Sequence, residues 1–277
     1  MLKDEKTIAN HYGQDDLDTK IIADLENAGK NVNTLTRDDI ASFDEFHFGG
    51  RAETRALARL AQLEEGMHVL DVGCGVGGAS RTLAGEFGCL VTGLDLTETY
   101  IRAAEMLTNL VGLGDRVTFH QGSALEISFE DESFDAAWLQ HVSMNIEDKK
   151  RLFGGIQRII RSGGRLAIHE IMEGPASNAR YPVFWASNES ISFLEPPDEI
   201  RELLTETGFS ELEWNDVTER ALELTRKRHD EAAKVGPNPL GLNVIVPKDV
   251  PQKVANSLKN LEEGRIIVVQ AVFDRIR

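Results

Sequence analysis

Apolar residues recur at helical spacing through the first sixty positions and at strand spacing after that. Leu17, Ile21, Ile22 and Leu25 lie three or four apart, which puts them on one face of a helix. Thr36 before Arg37-Asp38-Asp39 predicts the N-cap of another helix. Phe43, Phe46 and Phe48 then gather around His47 and lead into Gly49-Gly50. A cluster of this kind either packs onto the body of a protein or closes over a site.

From residue 67 short apolar runs alternate with amphipathic stretches. Strands are expected over 67–72, 89–95, 116–120, 134–140 and 165–170. Helices are expected over 79–87, 99–111 and 148–160, the last closed by Ser162-Gly163-Gly164. This alternation predicts an α/β protein whose parallel, doubly wound sheet is covered on both faces. A helix over 198–208 and a strand over 211–217 follow. A polar, helical stretch then precedes the β-branched run Arg265–Phe273, which reads as the last strand. Residues 173–196 carry proline and aromatics and are too long for a tight connection, so a functional role is expected. The organisation predicted is a helical lid or substrate cap over 1–60 and one domain over 61–277, with insertions at 173–196 and 218–262.

Composition narrows the class of partner. Apolar residues make up 41% and charged residues 27%, as in an ordinary globular chain, but the formal net charge is −16. That charge repels phosphate backbones, so neither nucleic acid nor an anionic membrane surface is expected as a partner. The one dense basic stretch, Arg226-Lys227-Arg228, is followed by Asp230 and Glu231 and reads as a solvated helix face. Cys74 and Cys89 form no metal-binding pattern, so no metal is expected, and two cysteines fit a reducing compartment. The N-terminus shows no signal-peptide pattern, and no run approaches the ~20 apolar residues that span a bilayer. A cytoplasmic location is expected, with a homodimer as one assembly open to the chain.

The first strand ends in Asp71 and opens into Gly73-Cys74-Gly75-Val76-Gly77-Gly78. Gly73, Gly75 and Gly78 satisfy G-x-G-x-x-G, which alone suggests a dinucleotide site and leaves an NAD(P)-dependent oxidoreductase open. The neighbouring charge argues otherwise. A pyrophosphate at this turn would face the Asp71 carboxylate, whereas a cationic, phosphate-free ligand is attracted by it. S-adenosyl-L-methionine, with an ammonium and a sulfonium, is such a ligand. Asp95 ends the second strand about 20 residues on, where an acid takes ribose hydroxyls.

Val69-Leu-Asp-Val-Gly-Cys-Gly-Val-Gly-Gly78 resembles the glycine motif of class I S-adenosylmethionine-dependent methyltransferases. Asp95, Val117-Thr-Phe-His-Gln-Gly-Ser-Ala124, Phe134-Asp-Ala-Ala-Trp138 and Arg161-Ser-Gly-Gly-Arg-Leu166 are similar to four further motifs of that family. The resemblance spans about residues 65–172. It implies a Rossmann-like sheet of seven strands, mostly parallel with an antiparallel last strand. It also implies a cofactor site drawn from Asp71, Gly73, Gly75, Gly77, Asp95, Leu96, Ser123, Ala124 and Gln140. Many relatives place an aspartate where Ser123 stands, so the adenine contact there departs from the family pattern. Within the family the chain resembles small-molecule enzymes, of the sarcosine/dimethylglycine N-methyltransferase or the ubiquinone-biosynthesis methyltransferase type.

Ligands of such sheets bind beyond the carboxyl ends of the strands, which brings His141 and Glu170 toward the transferred methyl. His141 is the first candidate for a base or acceptor contact, and Glu170 for holding an amine or taking a proton. His47 in the aromatic cluster and Trp185 in the insertion are candidates for closing the acceptor pocket. Each also has an ordinary packing role open to it. The expected activity is methylation of a nitrogen or oxygen of a small metabolite, the nitrogen slightly favoured. The alternatives are the oxidoreductase and a non-catalytic, cofactor-binding regulatory module.

Overall fold

Glycines and β-branched residues divide the chain where the pattern predicts. The computed structural model describes residues 3–236, 238–246 and 248–276. Four helices come first: α1 (Lys3–Tyr12), α2 (Leu17–Asn27), α3 (Arg37–Asp44) and α4 (Arg51–Leu60). Asp39 Oδ2 accepts the Thr36 N–H at 2.9 Å and so closes the start of α3, as the sequence suggests. The alternating region follows as β1 (His68–Val72), α5 (Gly78–Phe87), β2 (Leu90–Asp95), α6 (Glu98–Leu110), β3 (Val117–Gln121), β4 (Phe134–Gln140), α7 (Lys149–Ile159) and β5 (Ile160–Glu173). The chain ends with α8 (Pro197–Glu206), β6 (Phe209–Asp216), α9 (Thr218–Val235), α10 (Val250–Glu262) and β7 (Ile266–Arg275).

The seven strands lie in the order β3-β2-β1-β4-β5-β7-β6. β7 runs antiparallel to both neighbours, and the other pairings are parallel. The strand order reverses between β1 and β4, so a crevice opens beyond their carboxyl ends. Register sets what lines it. Val72 pairs with Leu94 and Leu139, and Gln140 pairs with His169. The central strands are buried on both faces, which is why they read as continuous apolar runs. Leu152, Phe153 and Ile156 of α7 pack with Leu204 of α8 on one face of the sheet. Leu57, Leu83 and Ile101, from α4, α5 and α6, pack on the other.

Two expectations change. The helix expected to run to Ile160 stops at Ile159, because Ile160 turns into extended backbone and is wholly buried beside Phe134. The boundary at residue 60 marks a change of pattern but not of packing: Leu57 and Ala58 of α4 share a core with Val69 of β1. Leu17, Ile21 and Leu25 of α2 pack with Tyr100, Ala103 and Leu107 of α6 and with Val244 and Ile245. Among the described residues no helix is long and apolar enough to cross a membrane.

Candidate functional site

The turn between β1 and α5 is tight because three glycines adopt left-handed backbone: Gly73 at φ 71°, Gly75 at φ 54° and Gly77 at φ 81°. At Gly73 a Cβ would also collide with the Val142 side chain, so the turn after β4 sits directly against this loop. The Asp95 carboxylate spans the loop, accepting the Gly75 N–H at 2.9 Å and the Thr97 N–H at 2.8 Å. Burial raises its pKa, against those two bonds. Asp71 is almost wholly buried and accepts a hydrogen bond from Ser80 at 2.5 Å. Burial, then the nearby Asp95 charge, push its carboxyl up to about 7, with the Ser80 bond opposing. An approaching cation offsets both by stabilising the charged carboxylate.

A cavity of about 310 Å³ begins at this loop and runs under α1 to the insertion. Its near wall holds Asp71, Gly73, Gly75, Asp95, Leu96, Ser123, Ala124 and Gln140, the expected cofactor residues. Its far wall is apolar and aromatic: Phe46, Phe48, Met144, Phe184, Trp185 and Phe193. Arg228 of α9 also reaches this wall, so the basic stretch is only partly a solvated face. The neighbouring Arg226 pairs outward with Glu262 at 2.7 Å.

Three imidazoles meet at the floor. The His141 ring lies 5.9 Å from that of His47 and 4.9 Å from that of His169, between centroids. His47 and His141 line the cavity, and His169 lies behind them. Burial, then the neighbouring His47, depress the pKa of His141 far below the usual imidazole value and keep it neutral. Its Nε2 is buried without a hydrogen-bond partner. His141 sits at φ 55°, left-handed backbone immediately after β4. Gln140 ties this floor to the sheet. Its Oε1 accepts Trp138 Nε1–H at 2.7 Å and the Thr54 hydroxyl at 3.2 Å, and its amide nitrogen lies 3.4 Å from His169 Nδ1.

Two sequence candidates lie behind the wall. Glu170 was expected at the acceptor, but its carboxylate turns to the β4–α7 connection. It accepts Val142 N–H at 3.1 Å, Ser143 N–H at 3.0 Å and the Ser143 hydroxyl at 2.7 Å. Burial raises it to about 7, those bonds opposing, so it anchors the turn that carries His141 and Met144. Gly77 was expected to touch the cofactor, but it caps α5, and a Cβ there would meet the Phe119 ring. Trp185 lies on the wall, its indole N–H donating to Ser192 Oγ at 2.9 Å. Asn145 joins three elements: it accepts from Tyr12 of α1 at 2.8 Å and donates to Trp185 and Ile191 carbonyls, both at 2.8 Å.

Sequence reasoning missed Glu5 and Tyr12 of α1, and Glu45. Glu5 is 8% exposed, lines the cavity and accepts a hydrogen bond from Ser123 Oγ. Glu45 follows α3, accepts from Thr82 at 2.5 Å and lies 3.3 Å from His47 Nε2. Only the His47 cluster hinted that this segment reaches the site, and α1 carries no motif.

Residues 70–168 match the family model described as a methyltransferase domain. The O-methyltransferase resE of Aspergillus sclerotiorum is 28% identical over 185 residues, 65% of this chain and 69% of that protein. The methyltransferase GfsG of Streptomyces halstedii is 30% identical over 185 residues, 66% of each chain. The fold resembles that of a Haemonchus contortus phosphoethanolamine N-methyltransferase 2 solved with S-adenosyl-L-methionine. There the TM-score is 0.74 and the identity 22%, over all of this chain and 61% of that one. These matches set aside both the oxidoreductase and the non-catalytic module.

Proposed function

This chain is an S-adenosylmethionine-dependent methyltransferase, and from that premise we propose that it methylates an oxygen or nitrogen of a small, largely apolar metabolite. One observation carries the reading: a single cavity joins an anionic glycine turn to an apolar chamber floored by a neutral histidine. The residues present fit the cofactor. Gly73 and Gly75 take the left-handed backbone that keeps the turn tight, Asp71 and Asp95 supply negative charge, and among the described residues lining the cavity at the turn there is no lysine or arginine. The N-terminus of α5 suits a carboxylate, Asp71 an ammonium and Asp95 the ribose hydroxyls.

When bound, the cofactor supplies an activated methyl on a sulfonium. The protein's share is to hold the acceptor in line and keep water out. Phe46, Phe48, Met144, Phe184 and Trp185 exclude water, and the Tyr12–Asn145 bond keeps α1 against the chamber. His141 is the base. Its imidazole is held neutral, and its unpartnered Nε2 has hydrogen-bonding capacity to receive an acceptor's hydroxyl proton as the methyl transfers. That favours a hydroxyl acceptor over the nitrogen that the sequence slightly favoured. His47 packs beside His141 and positions it. The cysteines and charge support a cytoplasmic location, with no nucleic-acid partner, and a homodimer is the assembly to measure.

Methyl-labelled cofactor, offered with a panel of apolar alcohols, phenols and amines, tests the reading by mass identification of the product. A methyl ether is the expected product. Label recovered only on protein or nucleic acid would overturn it.

A further inference from the structure

We infer that Glu5, on the first helix, is the carboxylate that reads the amino edge of the cofactor's adenine. The inference rests on the cofactor placement proposed above. Asp95 fixes where a ribose goes, at the end of β2. Beyond it the cavity wall passes to Leu96 and to the loop 122–125 after β3, one strand further out in the sheet. Leu96, Ala124 and Leu125 offer apolar surface to the faces of a flat ring. The ring's edge needs two things there: an acceptor for the exocyclic amine and a donor for the adjacent ring nitrogen.

The loop itself supplies the donor. Leu125 N–H bonds Ser123 Oγ at 3.0 Å and Glu126 N–H bonds the Ser123 carbonyl at 3.1 Å, whereas the Ala124 N–H makes no bond within the loop. The loop does not supply a charged acceptor. Ser123 stands there, its oxygen accepting from Leu125 while its hydroxyl is donated to Glu5. Glu5 comes from a segment 118 residues away in sequence, is 8% exposed, and shares the cavity wall with Ser123 and Ala124. A carboxylate has about four lone-pair sites, so it can hold the Ser123 hydroxyl and an amine together.

The same helix reaches the acceptor chamber. Ile8 and Tyr12, three and seven residues on from Glu5 and so on the same face of the helix, line the cavity, and Tyr12 bonds Asn145. His11 Nε2 lies 3.0 Å from the Phe184 carbonyl of the insertion. Docking α1 on bound adenine thus also closes the acceptor chamber. Cofactor recognition and acceptor enclosure are coupled through one helix.

Equilibrium binding of S-adenosylhomocysteine and S-inosylhomocysteine to the full chain tests this. In the inosyl compound a carbonyl replaces the amine and would face the carboxylate. The unaltered protein should prefer the adenosyl compound by roughly tenfold to hundredfold, as for loss of a hydrogen bond to a charged group. Glu5→Ala should bring the ratio toward one, chiefly by weakening the adenosyl compound. Glu5→Gln, which can offer its own amide donor to the carbonyl, should raise affinity for the inosyl compound. An unchanged preference in both variants refutes the role of Glu5 and leaves the cofactor site standing. Failure of the unaltered protein to bind either compound refutes the cofactor placement itself.

Discussion

Glu170→Gln separates an anchor from a base. If Glu170 took the acceptor's proton, the amide would abolish turnover and leave stability alone. In the structure its two oxygens hold the backbone N–H groups of Val142 and Ser143 and the Ser143 hydroxyl. A glutamine can keep its oxygen on Ser143, where the Val142 N–H also reaches it at 3.3 Å, but its NH2 then faces the Val142 N–H in place of the 3.1 Å bond. Setting donor against donor in this part-buried turn costs about 1–3 kcal/mol. At ~2.1 cal/mol/K per residue over 277 residues, unfolding entropy converts that to a Tm loss of about 2–5 °C. The loss should also depend on pH. The folded-state pKa of Glu170 is about 7, above its ordinary value of 4.5, because burial outweighs the three bonds. A raised carboxyl contributes stability that is fully present below pH 4.5 and is lost as pH rises through 7. The unaltered protein therefore gains on going from pH 8 to 6, and the glutamine variant lacks that gain. The gap between them should widen by on the order of 1 kcal/mol at pH 6. Calorimetric or fluorescence melts at pH 6, 7 and 8 measure it. An unchanged Tm with lost turnover would return Glu170 to the chemistry, and a gap that is flat with pH would refute the burial argument.

The other predictions concern the cavity directly. Asp95→Ala should weaken S-adenosylhomocysteine binding by roughly tenfold to hundredfold, measured by calorimetry, and unchanged affinity would remove Asp95 from the ribose site. His141→Asn tolerates the left-handed backbone. It should lower kcat/KM by ~10²–10⁴ with cofactor affinity kept, and an unimpaired variant would exclude His141 as base. Since Asp71 titrates near 7 without ligand, affinity for the cationic donor should fall as pH drops from 8 to 6, by up to about tenfold. Asp71→Asn should bind more weakly and without that pH dependence. Gly78→Ala drives a Cβ into the Asp44 carbonyl and should cost about 1–3 kcal/mol by denaturant melts, loosening the Arg81–Asp44 pair.

The parts of the site legible in the sequence are those whose physics is local. Asp71, Gly73, Gly75 and Asp95 are spelled by a strand, a turn that demands left-handed backbone and a second strand end. Gln140 and His141 follow from the end of β4 by the same logic. What escaped was decided by contacts across the chain. Whether Glu170 faced ligand or backbone depended on how the turn at 142–143 folds back over β5, and nothing in the run Ile168–Ile171 encodes that direction. Gly77 was assigned to the cofactor by motif position, yet its packing neighbour is Phe119, two strands out. Arg228 carries the same charge as its neighbours in sequence, and only the docking of α9 turns it toward the cavity.

The N-terminal helices show why specificity is harder to read than fold. The sheet buries its surface whether or not α1 is present, so its pattern is strong. Helix α1 is largely polar, and beside the packing of Ile8 and Tyr12 its grip includes a few specific bonds: Glu5 to Ser123, Tyr12 to Asn145 and His11 to the insertion. Such bonds contribute roughly 0.5–1.5 kcal/mol each when neutral, too little to impose a pattern on the sequence. They are enough to close a cavity when ligand adds contacts of its own. The segment least legible in the sequence is therefore the one placed to sense what the cavity holds.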